Sequence, residues 1–155
     1  MALKVGDMAP GFTLKSSEKQ DVSLSDYLGK NVVILFFPMA FTSVCTAELC
    51  EIRDKKELYD GLKADVLAIS VDSPFTLAKF KEDQGYNFPL LSDFNKEVSQ
   101  KYGAYYEEFV LGLKGVSKRS AFVVDKDGVI KYAEVLDKAS DLPNFDLINS
   151  ILETM

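Results

Sequence analysis

Cys45 is the residue whose position in the chain most favours chemical reactivity. An apolar run at residues 32–37 ends at Pro38, which lacks a backbone donor and cannot continue a central strand. Thr42 and Ser43 are then candidate helix caps, and the residues after them are typical of a helix. Near the first helical turn, unpaired backbone N–H groups and the helix dipole stabilise a thiolate. Cys45 is therefore a candidate nucleophile, although a free cysteine can also be a small buried hydrophobe.

The chain contains no histidine, which restricts how Cys45 could be activated. A Cys–His nucleophile pair and a His-ligated metal site are both excluded. Activation must come from the helix terminus, from hydroxyl donors and from an arginine. Thr42 lies three residues before Cys45, so its hydroxyl could reach the thiolate or a substrate oxygen. The alternative is that Thr42 is only a helix cap.

Arg119 is the candidate arginine, and Glu48 is its candidate partner. Arg119 directly precedes an apolar stretch at residues 121–124, and the first residue of a central strand can point into a site at the end of the sheet. A guanidinium there would stabilise the thiolate and donate to substrate oxygens, whereas the alternative is a solvated basic pair with Lys118. Glu48 lies one helical turn beyond Cys45 on the same face. Since a carboxylate opposes ionisation of a nearby thiol, we expect Glu48 to orient an arginine.

Composition limits the classes of protein that these residues could serve. A chain of 155 residues, 47% hydrophobic and 27% charged, fits one domain spanning residues 1–155. The net charge of -6 argues against a nucleic-acid partner and against an anionic membrane surface. No apolar run of about 18 residues is present, and the first seven residues lack the apolar core of a secretory signal. Two cysteines five residues apart do not form a disulfide framework, so we expect a reducing, cytoplasmic location.

The pattern of apolar residues, glycines and prolines predicts the elements that position the candidate residues. We expect strands at residues 12–14, 22–24, 31–37, 65–71, 88–93, 120–125 and 129–135. We expect helices from residue 45 to about residue 62 and at residues 75–84, 95–102 and 145–153, with a loop at 105–111. Alternating strands and helices imply parallel pairing, and the late hairpin adds antiparallel strands. The prediction is an α/β chain with a mixed central sheet, helices on both faces and an N-terminal β-hairpin extension, similar to the thioredoxin fold.

The motif around Cys45 resembles the active-site signature of the peroxiredoxins. The pattern Pro-x-x-x-Thr-x-x-Cys is formed by Pro38, Thr42 and Cys45. Its continuation Cys-Thr-x-Glu-x-Cys, which ends at Cys50, resembles the bacterioferritin-comigratory branch. The stretch from residue 118 to residue 128 resembles the family's strand that carries the active-site arginine. The remaining organisation is similar to the alkyl-hydroperoxide-reductase-E-like branch, and the resemblance covers about residues 5 to 152.

This resemblance implies a thiol-dependent peroxidase that acts on hydrogen peroxide and organic hydroperoxides without a metal or organic cofactor. Cys45 would be oxidised to a sulfenic acid, and Pro38 would shield it from solvent. Cys50 would form a disulfide with Cys45, and a thioredoxin-like dithiol protein would reduce it. A monomer and a homodimer are both compatible with the family.

Three alternatives remain open at this stage. Cys50 could be a packed apolar residue, in which case an external thiol would resolve a one-cysteine peroxidase. The chain could also be a non-enzymatic redox sensor. A dithiol–disulfide oxidoreductase is disfavoured, because the sequence contains no Cys-x-x-Cys motif.

Overall fold

The computed structural model describes residues 3–155. The strands are β1 (Thr13–Ser16), β2 (Asp21–Ser23), β3 (Asn31–Phe36), β4 (Ala64–Ser70), β5 (Leu90–Ser92), β6 (Tyr105–Tyr106), β7 (Val116–Ser117), β8 (Ser120–Val124) and β9 (Ile130–Val135). The α-helices are α1 (Ser43–Asp54), α2 (Lys56–Gly61), α3 (Pro74–Gln84), α4 (Glu97–Lys101) and α5 (Phe145–Glu153). Two short 3₁₀ helices cover Leu24–Tyr27 and Val110–Gly112. The expected absence of a secretory signal partly concerns Met1 and Ala2, which lie outside the described residues.

Seven strands form one mixed sheet in the order β2-β1-β5-β4-β3-β8-β9. The central strands β3, β4 and β5 are parallel, as expected where helices connect successive strands. Strand β8 runs antiparallel to β3, and β9 runs antiparallel to β8. The N-terminal hairpin β1–β2 extends the other side of the sheet by pairing with β5. The predicted mixed sheet and N-terminal hairpin are therefore confirmed.

Apolar side chains alternate between the two faces of β3, and each face packs against a separate cluster. Val33, Leu35 and Phe37 contact the cluster that contains the buried residues of α1, α2, α3 and α5. Val32, Ile34 and Phe36 contact the cluster that contains α4 and the segment before the first hairpin. Helices therefore cover both faces of the sheet, as predicted. Among the helices that the structure describes, none has the length and apolarity needed to cross a membrane.

The pairing of β3 with β8 sets the position of the candidate site. Phe36, the last residue of β3, lies opposite Ser120, the first residue of β8. The chain leaves β3 towards α1 at this edge, and Arg119 precedes β8 at the same edge. Two segments far apart in sequence, one with Cys45 and one with Arg119, thus meet at one end of the sheet.

Two sequence predictions of local structure are wrong. The helix expected to reach about residue 62 is interrupted at Lys55, whose φ of -105° and ψ of 19° separate α1 from α2. Beyond the break Tyr59 is buried, whereas Leu58 is 42% exposed. The predicted loop at residues 105–111 begins with β6, which pairs antiparallel with β7. A two-residue strand is too short to show the alternation by which strands are recognised in a sequence.

Candidate active site

Cys45 is the third residue of α1, which confirms its predicted place in the first helical turn. The helix begins after Thr42, whose extended backbone places its carbonyl to accept the Thr46 amide at 2.9 Å. The first amides of a helix have no acceptor within the helix, so those of residues 43–45 remain available as donors near Cys45. The Cys45 side chain is 0% exposed, yet it lines a cleft of about 710 Å³ at the end of the sheet. The thiol therefore lies at the floor of an open cleft.

Arg119 makes three hydrogen bonds that fix its guanidinium beside this thiol. Its Nη2 donates to Cys45 Sγ at 3.1 Å and its Nη1 donates to Glu48 Oε1 at 2.6 Å. Its Nε donates to the carbonyl oxygen of Ala139 at 3.0 Å. Burial acts to lower the pKa of Arg119, but the contacts with Glu48 and Cys45 outweigh burial and raise it. The cation is therefore permanent and directed at the sulfur.

Glu48 lies behind Arg119, and its carboxyl group is entirely buried. Burial raises the pKa of Glu48 from 4.5 to about 7, while the charge of Arg119 acts in the opposite direction. Oε2 has no hydrogen-bond partner within the described chain, which is consistent with a large desolvation cost. Glu48 thus occupies the predicted position as partner of the arginine, with a protonation state that changes near neutral pH.

The structure also places the two other residues of the motif in the cleft. Pro38 is buried and lines the cleft together with Thr42. The Thr42 hydroxyl donates to the carbonyl oxygen of Met39 at 2.8 Å. Thr42 occupies the N-cap position without a side-chain cap bond, and its hydroxyl is not bonded to Cys45. The hydroxyl therefore contacts neither the thiol nor the helix amides, and its contact with a substrate oxygen stays a prediction.

Cys50 lies five residues along α1 and points to different neighbours. It is half-buried, and its Sγ lies 3.5 Å from Gln84 Oε1 and 3.8 Å from Tyr86 Oη. Both cysteines are free thiols. A regular helix separates two such Cα atoms by about 8–9 Å, whereas a disulfide needs them within about 7 Å. The two sulfurs cannot form a bond while α1 stays helical.

Asp72, which was not predicted from the sequence, holds the loop before α1. Asp72 Oδ2 accepts hydrogen bonds from the Ala40 amide at 2.8 Å and from the Ser70 hydroxyl at 2.7 Å. The loop needs such support, because Phe41 has a φ of 68°, which is unusual for a residue other than glycine. A signal was available, since Asp72 follows β4 and the carboxyl ends of parallel strands share one edge of a sheet.

The apolar wall of the cleft was also missed. It is formed by the segment between β6 and β7, part of which was predicted as a loop at residues 105–111. Phe109, Val110, Leu111 and Leu113 line the cleft, and Leu111 is 93% exposed. Exposed apolar residues that line a cleft are typical of surfaces that bind a ligand or another protein.

A second cleft, of about 800 Å³, lies at the opposite end of β3, near Asn31. It is lined by lysines 30, 63, 126 and 131, and neither cysteine nor arginine contributes to it. Although it is slightly larger, it has no thiol among its lining residues. The cleft above Cys45 is therefore the candidate active site.

Comparison with known proteins identifies the family of the chain. The family model described as AhpC/TSA family matches residues 5–133. Alkyl hydroperoxide reductase E of Mycobacterium tuberculosis is 43% identical over 136 residues, which cover 86% of each chain. Peroxiredoxin Bcp of Escherichia coli is 37% identical over 132 residues, which cover 84% of each chain. The crystal structure of peroxidoxin BcpB from Mycobacterium tuberculosis superposes with a TM-score of 0.87 at 30% identity, covering 99% of this chain and 98% of the other. The protein therefore belongs to the AhpC/TSA family, the peroxiredoxins, and is a thiol peroxidase.

Proposed function

We propose that Cys45 is the peroxidatic residue of this thiol peroxidase. Its thiolate attacks one oxygen of a hydroperoxide in line with the O–O bond. A new S–O bond forms, the O–O bond breaks, and the leaving oxygen takes up a proton to depart as water or an alcohol. Cys45 becomes a sulfenic acid. The observation that carries this proposal is the 3.1 Å contact between Arg119 Nη2 and Cys45 Sγ at the floor of the cleft.

In this proposal the residues around Cys45 stabilise the charge that develops on the two oxygens. The Arg119 guanidinium and the amides of the first turn of α1 are fixed donors beside the sulfur. The Thr42 hydroxyl turns from the Met39 carbonyl towards the bound peroxide, which requires only rotation of its side chain. Glu48 holds the plane of the guanidinium through Oε1, and Pro38 keeps bulk water from the thiol.

The apolar wall of the cleft supports organic hydroperoxides as substrates in addition to hydrogen peroxide. Val110, Leu111 and Leu113 are exposed beside the thiol and could contact the alkyl part of such a substrate. Hydrogen peroxide would gain nothing from this surface. An alkyl hydroperoxide would bury apolar area, which is worth about 25 cal/mol for each Å² removed from water.

We further propose that Cys50 resolves the sulfenic acid within the same chain. Its sulfur attacks the Cys45 sulfur, a disulfide forms and water is released. Because the helical spacing forbids the bond, residues 43–52 must unwind first. A thioredoxin-like dithiol protein in the reducing cytoplasm would then reduce the exposed disulfide.

A second candidate is a one-cysteine peroxidase whose sulfenic acid is resolved by an external thiol. The observation that favours it is the engagement of Cys50 by Gln84 and Tyr86, away from the cleft. In that case Cys50 is a packed residue of α1. Both candidates share the first step at Cys45.

Thiol counting after one equivalent of peroxide separates the two candidates. Intramolecular resolution removes both thiols of each chain and leaves the mass of one monomer with a disulfide. Resolution by an external thiol leaves Cys50 free and Cys45 as sulfenic acid. A coupled assay with thioredoxin, its reductase and NADPH then measures turnover. Stoichiometric oxidation without turnover by any thiol reductant would instead indicate a redox sensor.

A further inference from the structure

Tyr86 lies just beyond α3 and directs its hydroxyl at the middle of α1. Its ring is 4% exposed and packs between Phe80 and Phe88, with centroids 5.0 Å and 5.5 Å away. Its Oη lies 3.4 Å from the carbonyl oxygen of Thr46 and 3.8 Å from Cys50 Sγ. The packing fixes the ring, so the hydroxyl is held against the helix.

The carbonyl that Tyr86 contacts belongs to the helical turn between the two cysteines. In an α-helix the carbonyl of Thr46 accepts the amide of Cys50, so this bond closes the turn that must open for resolution. Burial, and next the contact with Cys50, raise the pKa of the Tyr86 hydroxyl above its ordinary value. The hydroxyl therefore stays protonated and donates a hydrogen bond to the Thr46 carbonyl oxygen.

Further contacts join the same two segments. The Cys50 thiol donates to Gln84 Oε1 at 3.5 Å, and Arg53 Nη1 donates to the Gln84 carbonyl. Asn87 Nδ2 donates to the Arg53 carbonyl at 3.3 Å. We call these contacts from residues 84, 86 and 87 to α1 the α1 clasp. All of them connect to the helix between Thr46 and Arg53, which is the segment that carries Cys50.

We propose that Tyr86 is a positioning residue that keeps the turn of residues 46–50 helical and thereby slows disulfide formation between Cys45 and Cys50. This inference rests on the proposed role of Cys50 as the resolving thiol. In the step concerned, the Cys50 sulfur attacks the Cys45 sulfur, the S–S bond forms and the S–O bond breaks. The leaving hydroxide takes up the Cys50 thiol proton and departs as water. The oxidising equivalent comes from the peroxide that formed the sulfenic acid. Slow opening lengthens the lifetime of the sulfenic acid and favours its further oxidation by excess peroxide.

The Tyr86→Phe variant tests the inference, because it keeps the ring and removes the hydroxyl. A hydrogen bond is worth about 0.5–1.5 kcal/mol net, so disulfide formation should become about two- to tenfold faster. Rapid mixing with one equivalent of hydrogen peroxide follows formation of the sulfenic acid and its conversion to the disulfide as two phases. Only the second phase should accelerate, and less sulfinic acid should form in excess peroxide.

Tyr59→Phe is the matched control. Tyr59 is a buried tyrosine of the same apolar cluster, but it lies in α2, outside the α1 clasp. Its variant should convert the sulfenic acid to the disulfide at the wild-type rate.

Hydrogen exchange on the reduced proteins provides a readout that does not depend on Cys50 chemistry. The Cys50 amide should exchange about two- to tenfold faster in Tyr86→Phe than in the wild type or in Tyr59→Phe. An unchanged or slower second phase, in a wild type that does form the disulfide, would overturn the role of Tyr86 alone. A wild type that forms no intramolecular disulfide would instead overturn the resolving role of Cys50, and this inference with it.

Discussion

Glu48→Gln is the substitution whose effect follows most directly from the structure. The glutamine keeps the size of the side chain and an Oε1 that can accept from Arg119 Nη1, but it removes the titratable charge. In the native protein burial raises the pKa of Glu48 from 4.5 to about 7. The native state therefore binds a proton at Glu48 more tightly than the unfolded chain does.

The sign and size of the stability effect follow from this difference. A carboxyl group with a raised pKa contributes full stability below the unfolded pKa, and the contribution is lost as pH rises through the native pKa. A shift from 4.5 to about 7 corresponds to about 3 kcal/mol of unfolding free energy, most of which is lost between about pH 5 and about pH 8. Glu48→Gln has no group to titrate at this position, so it should not show this loss.

Urea unfolding of the reduced proteins at several pH values measures the difference. Both proteins carry Cys45→Ser, since the Cys45 thiol shares the Arg119 guanidinium with Glu48 and would otherwise titrate differently in the two. All other carboxyl groups are shared, so the free energy of unfolding of the Glu48→Gln protein minus that of its counterpart with Glu48 isolates this carboxyl group. We expect this difference to increase by about 3 kcal/mol in favour of the variant from acid to alkaline pH. Parallel pH profiles of the two proteins would refute the argument that burial outweighs the Arg119 charge at Glu48.

Three further predictions concern the peroxide step and the opening of α1. Arg119→Lys keeps the charge but loses the planar fork, so its second-order rate with peroxide should fall at least about tenfold. The control Lys118→Ala should react at the wild-type rate, and equal rates in all three proteins would contradict the role of Arg119. Thr42→Val should lower that rate at least about tenfold and destabilise the fold by less than about 1 kcal/mol, whereas a loss of stability with an unchanged rate would leave Thr42 as a structural residue. In the oxidised protein, the amides of residues 45–53 should lose hydrogen-exchange protection while those of β3 retain it. Equal protection in both redox states, with the disulfide confirmed by mass, would contradict unwinding of α1.

Arg119→Ala is a less informative variant than Arg119→Lys. In the structure its guanidinium is buried and is the partner of the buried Glu48 carboxylate. Removing one partner of a buried pair costs about 3–5 kcal/mol, so the alanine variant would confound activity with stability.

The sheet was predictable because its signals are local and strong. The strands β3 and β4 contain apolar runs at residues 32–36 and 66–69, and Pro74 and Gly85 lie where α3 starts and ends. The Cys45 region was predictable because a buried strand, a proline and a helix start follow one another directly in sequence. The proximity of Arg119 to Cys45 depends on the pairing of β3 with β8. The only sequence signal of this proximity was indirect, namely that Arg119 directly precedes an apolar strand.

The features that were missed depend on contacts distant in sequence or on backbone geometry. Lys55 carries no helix-breaking side chain, so the interruption between α1 and α2 leaves no mark in the sequence. The contact of the Thr42 hydroxyl with the Met39 carbonyl depends on the turn at Phe41, whose positive φ is not expected for a phenylalanine. Tyr86 reads as an ordinary core aromatic, and only its distance from Thr46 and Cys50 indicates a particular role.

The rates at which cysteine variants consume peroxide show whether the chain reduces peroxide through Cys45. The second-order rate of peroxide consumption is measured for the reduced wild type, for Cys45→Ser and for Cys50→Ser, which changes the other cysteine of the same helix. We predict that Cys50→Ser consumes its first equivalent of peroxide at the wild-type rate, while Cys45→Ser does so no faster than a free thiol. Rapid consumption by Cys45→Ser, or its loss in Cys50→Ser alone, would contradict the account.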